Sequence, residues 1–180
     1  MNAYYTHQKY LTEYLDKIDF SKNVYCLEFG TGDGSSSIFE KYTNNKTLTI
    51  NAFEHDLNWL NNMKQKYSKP NYIFNHVEWS NFDYDSLKNK TYDLVFVDQG
   101  EWNSRIETID NLIDFSKVII LHDYCYYNGF RAGMKPVENM TENYVGVGSF
   151  FHNKYDDKCE IIGECEYYPP TLILKNRKFK

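Results

Sequence analysis

The sequence predicts an α/β fold in which helices cover both faces of a parallel β-sheet that ends in an antiparallel hairpin. Short runs of apolar and β-branched residues alternate along the chain with segments whose apolar residues recur at helical spacing. A glycine-rich loop follows the first of these runs directly. Near the C-terminus, residues 166–170 join two further runs and are too short for a crossover helix, so these two strands should pair antiparallel.

Each predicted element has a local signal. Leu11, Leu15 and Ile18 recur at helical spacing and predict an amphipathic helix within residues 1–20, and serines after the glycine loop favour the start of a second helix. The predicted helices cover about 5–18, 35–42, 57–67 and 102–114. The predicted strands are apolar runs that end in polar residues or turns, and they cover 24–28, 47–54, 72 to 76 or 77, 93–98, 117–121, 159–163 and 171–175.

Length and charge limit the classes of function. A chain of 180 residues predicts one domain over residues 1–180. The net charge of −5, without a basic block outside the last few residues, disfavours nucleic acid as a partner and fits a small-molecule substrate better. No signal peptide and no membrane-spanning run are expected. The four cysteines form no C-x-x-C pair, which favours free thiols, a buried one at Cys26, and a cytoplasmic location.

The glycine loop is the most specific motif. Glycines at every second position let the backbone turn tightly and approach a ligand closely, and the helix that follows presents unpaired N–H groups. The spacing departs from the G-x-G-x-x-G pattern of dinucleotide-binding proteins. Glu28 lies one residue before the loop and would repel a phosphate, but it could face a cationic group of a ligand directly or through water.

Acidic and histidine side chains close or follow five of the predicted strands. Because ligands of open α/β sheets bind beyond the carboxyl ends of the strands, these side chains are expected to share one site. They are Glu28, Glu54, His76 with Glu78, Asp98, and His122 with Asp123. Glu54 could accept hydrogen bonds from both hydroxyls of a ribose. The alternative role, capping of the next helix, suits Asp56 better.

The pattern Glu28-x-Gly30-x-Gly32-x-Gly34 resembles the first motif of the class I S-adenosylmethionine-dependent methyltransferases, over about residues 24–123, and is closest to small-molecule and sugar O-methyltransferases. The resemblance implies a Rossmann-like three-layer sandwich with S-adenosylmethionine as cofactor. It implies that the loop packs against the methionine end and ribose, and that the third strand ends near the adenine. The implied cofactor-binding residues are Glu28, Gly30, Thr31, Gly32, Gly34, Ser35, Glu54, His55, Glu78, Trp79 and Asp98. For Trp79, core packing is the alternative to stacking on the adenine.

The ends of the fourth and fifth strands carry the predicted catalytic residues, Asp98, His122 and Asp123. Metal-dependent O-methyltransferases place acids at both ends, so Asp98 and Asp123 could bind Mg²⁺ through oxygen. The catechol type has an asparagine directly after the second acid, where this chain has Tyr124, and the metal therefore stays one alternative. The other is that His122 acts as the general base, a common role of histidine near neutral pH.

The leading hypothesis is methyl transfer to an oxygen of a small hydroxylated acceptor such as a sugar or a phenol. Residues 124–157, which show no clear period, would shape the acceptor pocket, and a homodimer is a possible assembly. Two alternatives stay open. An NAD(P)-dependent reductase also uses a glycine loop and a ribose carboxylate, and a catalytically silent S-adenosylmethionine-binding subunit could retain the fold without the chemistry.

Overall fold

The computed structural model describes residues 6–100, 102–124, 154–164 and 169–179. The strands are β1 Val24–Phe29, β2 Leu48–Glu54, β3 Tyr72–His76, β4 Leu94–Val97, β5 Val118–His122, β6 Cys159–Glu164 and β7 Thr171–Asn176. The helices are α1 Gln8–Asp16, α2 Asp33–Tyr42, α3 Leu57–Tyr67 and α4 Trp102–Leu112. None of the helices in these described ranges is long and apolar enough to cross a membrane.

The seven strands form one sheet in the order β3-β2-β1-β4-β5-β7-β6. Strands β1 to β5 pair in parallel, whereas β7 runs antiparallel to both β5 and β6. The predicted parallel sheet with a C-terminal antiparallel hairpin is therefore confirmed. Successive strands are added on one side of β1, up to β3, and then on its other side, from β4 onwards. The glycine loop after β1 therefore lies at the point where the strand order reverses, in the middle part of the sheet.

Alternating residues of the central strands fill two apolar layers. Leu27 and Phe29 of β1 pack on the face that α4 covers, and Cys26 packs on the opposite face, which α1, α2 and α3 cover. Because side chains alternate along a strand, Glu28 points towards the second face. The molecule thus has a helix layer on each side of the sheet, as the three-layer prediction requires. Cys26 is a buried free thiol, as predicted.

Element boundaries differ from the predicted ones by few residues. Helix α3 has the predicted bounds, because the Asp56 side chain caps it by accepting hydrogen bonds from two backbone N–H groups. Helix α2 begins at Asp33, two residues earlier than predicted, because extended Gly32 occupies the capping position. Strand β1 continues one residue beyond Glu28. The predicted substrate-proximal segment 124–157 lies mostly outside the described residues.

Candidate functional site

The glycine loop passes tightly over the end of β4. Gly30 has a φ of +80°, and a Cβ on it would lie 2.5 Å from the backbone oxygen of Asp98. Its N–H donates to the carbonyl of Phe53 at 2.9 Å. Gly32 differs, because no heavy atom of the described residues would lie within 4 Å of a Cβ there. The loop is therefore fixed at its first glycine and faces open space at its second.

Glu54 ties the glycine loop to the end of β2. One carboxylate oxygen accepts the N–H of Thr31 at 3.0 Å and lies 3.4 Å from its hydroxyl. The other accepts the N–H groups of His55 and Asp56 at 2.9 and 3.0 Å. The Trp59 indole N–H donates to the Thr31 carbonyl at 2.6 Å and closes the loop from the α3 side. These contacts hold the loop and the carboxylate against each other at the predicted edge of the sheet.

The structure assigns Glu28 a different place from the predicted ligand-facing one. The side chain is fully buried and accepts hydrogen bonds from Ser35 at 2.6 Å, Ser36 at 2.9 Å and the Tyr72 hydroxyl. Burial raises the pKa of Glu28 to about 7, against the opposing effect of these three donors. Glu28 and Ser35 thus join the start of α2 to β1 and β3 beneath the loop, and the fully buried Glu28 carboxylate is not exposed for the direct ligand contact that the sequence predicted.

Asp98, at the end of β4, lies within a network of basic side chains. One of its oxygens lies 3.1 Å from Nδ1 of His122 and the other 3.3 Å from the guanidinium of Arg105. Arg105, on α4, also donates to the backbone carbonyls of Gln99 at 2.5 Å and His122 at 2.8 Å. The buried guanidinium compensates the Asp98 charge and joins the ends of β4 and β5. Asp98 remains partly exposed and can face a ligand.

Asp123 has an unusual backbone and an unpaired carboxylate oxygen. Its φ of 56° lies in the left-handed region, which only a few residue types adopt readily. Within the described residues, its Oδ1 atom is buried without a hydrogen-bond partner. Burial raises the pKa of the Asp123 carboxyl, although the positive charges of Arg105 and His122 oppose this. Strain and an unpaired polar atom at a strand end are typical of functional positions.

The magnesium prediction for Asp98 and Asp123 gains no support from the geometry. In the part of the chain that the structure describes, no group of three or more His, Cys, Asp or Glu side chains could hold a metal ion. The cationic partner of Asp98 is the Arg105 guanidinium instead. Mg²⁺ binding by Asp98 and Asp123 therefore stays a prediction, and the roles proposed for these two residues involve no metal.

The residues predicted to lie near the adenine are only partly exposed at the carboxyl edge of the sheet. His55 is exposed beside Glu54, and its carbonyl is 2.8 Å from a ring nitrogen of His76. Glu78 is exposed and precedes a short 3-10 helix, Trp79–Asn81. Trp79 is 7% exposed and packs in the core against Phe29 and Phe82. The structure thus shows the core-packing alternative for Trp79 rather than the stacking surface.

Replacing Asp123 with asparagine is expected to raise the free energy of unfolding by about 1 kcal/mol at pH 7. Asparagine tolerates the left-handed backbone and removes a partly buried charge whose oxygen has no partner among the described residues. Urea denaturation of the variant and the parent measures the difference. A variant less stable than the parent at pH 7 would contradict the inference that Asp123 is retained at a cost in stability.

Sequence reasoning missed three residues that organise this site. They are Arg105 on α4, Tyr72 at the start of β3, and His7 before α1, whose ring contacts the ring of His122. Tyr72 and His7 reach the site across tertiary contacts between elements that are distant in sequence. The only local signal is for Arg105, which lies seven residues after Asp98 on the helix that follows β4.

Several solved structures are similar to this chain. The N-terminal domain of EvdMO1 with S-adenosylhomocysteine bound has a TM-score of 0.59 at 14% identity and covers 95% of this chain and 80% of that one. The S-adenosylhomocysteine-bound Podospora anserina methyltransferase PaMTH1 has a TM-score of 0.59 at 14% identity, with 98% and 88% covered. Precorrin-6y C5,15-methyltransferase from Geobacter metallireducens GS-15 has a TM-score of 0.55 at 15% identity, with 94% and 86% covered.

This chain spans 41% of the length of full EvdMO1. No protein-family model and no curated protein matches the sequence. The likeness therefore rests on architecture, and the strand order and the glycine loop agree with it. The chain has the Rossmann-like fold of the class I S-adenosylmethionine-dependent methyltransferases.

Proposed function

We propose that this protein transfers a methyl group from S-adenosylmethionine to an oxygen of a small hydroxylated acceptor. The observation that carries the proposal is the joint placement of the Gly30–Gly32 loop, Glu54 and Asp98 at the carboxyl edge of one sheet. The open space in front of Gly32 would receive the methionine portion of the cofactor. Glu54 would accept the ribose hydroxyls, and His55 would lie at the adenine.

The bound cofactor would supply an electrophilic methyl carbon on its sulfonium. The chain's own residues would align the acceptor hydroxyl with that carbon and exclude water. Asp98 would face the sulfonium region, where a carboxylate complements positive charge. Among the proposed catalytic residues, Asp123 has a carboxylate oxygen that finds no hydrogen-bond partner in the described part of the chain, whereas His122 is held by Asp98. We therefore place acceptance of the hydroxyl proton at Asp123, with His122 and Arg105 holding Asp98 in position.

A sugar is the acceptor class with the most support. The N-terminal domain of EvdMO1 was also crystallised in the presence of S-adenosylhomocysteine and D-fucose, and that structure has a TM-score of 0.59 with this chain at 13% identity. Asp98 and Asp123, at the ends of neighbouring strands, suit an acceptor with several hydroxyl groups better than an apolar one.

The cofactor assignment predicts that replacing Glu54 with glutamine weakens binding of S-adenosylhomocysteine about tenfold. Glutamine retains the shape of the side chain but loses the charge that would accept two ribose hydroxyls, and it replaces one of the two oxygens that accept backbone N–H groups of Thr31, His55 and Asp56. Isothermal titration calorimetry measures the dissociation constant, with Glu13→Gln on the exposed face of α1 as the control, expected to equal the parent. Equal binding by Glu54→Gln would remove the ribose role.

Binding and activity measurements on the parent protein distinguish the three functional hypotheses. Absence of S-adenosylhomocysteine binding at millimolar concentration would overturn the proposed function, and protection from thermal unfolding by NADH would favour the reductase. Tight binding of the cofactor without methyl transfer to a panel of sugars and phenols would favour the silent subunit. Transfer to sugars and not to phenols would support the acceptor class proposed above.

A further inference from the structure

Helix α1 begins at the same edge of the sheet as the candidate site. Tyr14, in its last turn, and Ile18, just beyond its end, line a groove of about 310 Å³ together with Val24 and Val118. Val24 and Val118 begin β1 and β5, so the groove marks the amino end of the parallel strands. Helix α1 therefore runs opposite to these strands, and residues 6–8 lie at their carboxyl end.

Residues 6–8, which we call the clasp, contact three separate parts of this edge. The Thr6 hydroxyl donates to the carbonyl of Pro169, before β7, at 2.5 Å, and its oxygen lies 3.4 Å from Nε2 of His122. The Gln8 side-chain amide donates to the carbonyl of Gly34, in the first turn of α2, at 2.8 Å. The clasp thus links the helix that follows the glycine loop to the end of β5 and the hairpin.

His7 fills the space between these two anchors. It is 3% exposed, and its ring centroid lies 4.2 Å from that of His122 and 4.9 Å from that of Phe96. Burial and the neighbouring His122 lower the pKa of His7 to about 3, so the ring is neutral near pH 7. Neither ring nitrogen has a hydrogen-bond partner within the described ranges. Unpaired buried nitrogens lower the stability of the folded protein. The favourable contribution of His7 therefore comes from the packing of its ring against the ring of His122.

We propose that the clasp positions both halves of the cofactor site. Gln8 is the positioning residue for the glycine loop, and His7 is the positioning residue for the His122 ring and, through it, for Asp98. The inference rests on the proposed function, because the expected cofactor spans these two halves. It extends that function to a segment that belongs to no motif, at the start of the first helix.

The test is the affinity for S-adenosylhomocysteine, measured by calorimetry at a temperature where every variant is folded. Gln8→Ala and His7→Ala are each expected to weaken binding about fivefold. His7→Phe retains a ring of similar shape, so it should bind within twofold of the parent while its melting temperature rises, because two unpaired nitrogens are removed. The matched control is Lys17→Ala, which removes an exposed ion pair with Glu13 just beyond the other end of α1 and should change nothing.

Unchanged binding of S-adenosylhomocysteine by the clasp variants would contradict the proposal. If Gln8→Ala and His7→Ala lower the melting temperature but bind S-adenosylhomocysteine as the parent does, the clasp has only a structural role and the proposal is wrong. If the parent itself does not bind S-adenosylhomocysteine, the proposed function is wrong. Amide hydrogen exchange then tests the positioning role of the clasp independently of the ligand. Exchange should then accelerate over residues 30–36 in Gln8→Ala and over 120–124 in His7→Ala, and unchanged exchange in both would overturn the positioning role.

Discussion

Replacing Gly30 with alanine is expected to lower the free energy of unfolding by about 3 kcal/mol or more. The left-handed backbone at Gly30 is strained for any residue with a Cβ, and the added carbon would lie 2.5 Å from a backbone oxygen and 2.7 Å from a backbone nitrogen. These atoms belong to Asp98 and Gln99 at the end of β4, so the clash can only be relieved by moving the loop or the strand. Chemical denaturation measures the loss, and a melting temperature like that of the parent would contradict it.

The matched variant is Gly32→Ala, two residues further along the loop. Gly32 has an extended backbone that any residue adopts, and nothing among the described residues would contact its Cβ. Its stability should therefore stay within about 0.5 kcal/mol of the parent. If the open space is the cofactor site, the methyl group should instead reduce binding of S-adenosylhomocysteine. The two variants thus distinguish Gly30, where a side chain lowers stability, from Gly32, where a side chain is expected to weaken cofactor binding.

Local patterns in the sequence were sufficient to predict the elements and the placement of Glu54 and Asp98 at the carboxyl edge of the sheet. The bounds of α3 follow from the Asp56 cap, and the two late strands follow from the short segment between them. Glu54 was placed correctly at the edge because β2 ends at that residue. These signals act within a few residues of the chain, and no tertiary contact overrides them here.

The ligand-facing position predicted for Glu28 is wrong, because it depended on where β1 ends and on which face of the sheet the side chain lies. Glu28 was taken as the last residue of β1, where a side chain can point beyond the sheet. The strand continues to Phe29, and Glu28 pairs in register with Ala52 and Phe96 on the neighbouring strands. Its side chain therefore points into the layer beneath α2, where Tyr72 from two strands away completes its environment. A single additional strand residue changes the role from ligand contact to internal support.

The buried cluster of Glu28, Ser35, Ser36 and Tyr72 should make stability depend on pH. An ordinary glutamate has a pKa of 4.5, and burial raises that of Glu28 to about 7. At ~1.4 kcal/mol for each pKa unit, the difference corresponds to about 3 kcal/mol. The sign follows from linkage: the protonated form is favoured in the folded state, so the stabilisation is complete below pH 4.5 and is lost as the pH rises through 7.

Glu28→Gln isolates this effect, because glutamine has the same shape, can accept from both serines and can donate to the Tyr72 hydroxyl. Between pH 4.5 and pH 8, the free energy of unfolding of the parent should fall by about 3 kcal/mol relative to that of Glu28→Gln. All other titrating groups are common to both proteins and cancel in this difference. Urea denaturation at several pH values measures it, with Glu78→Gln at an exposed position as the control. A constant difference over this range would show that the Glu28 carboxyl stays ionised, and that the three hydroxyl donors outweigh its burial.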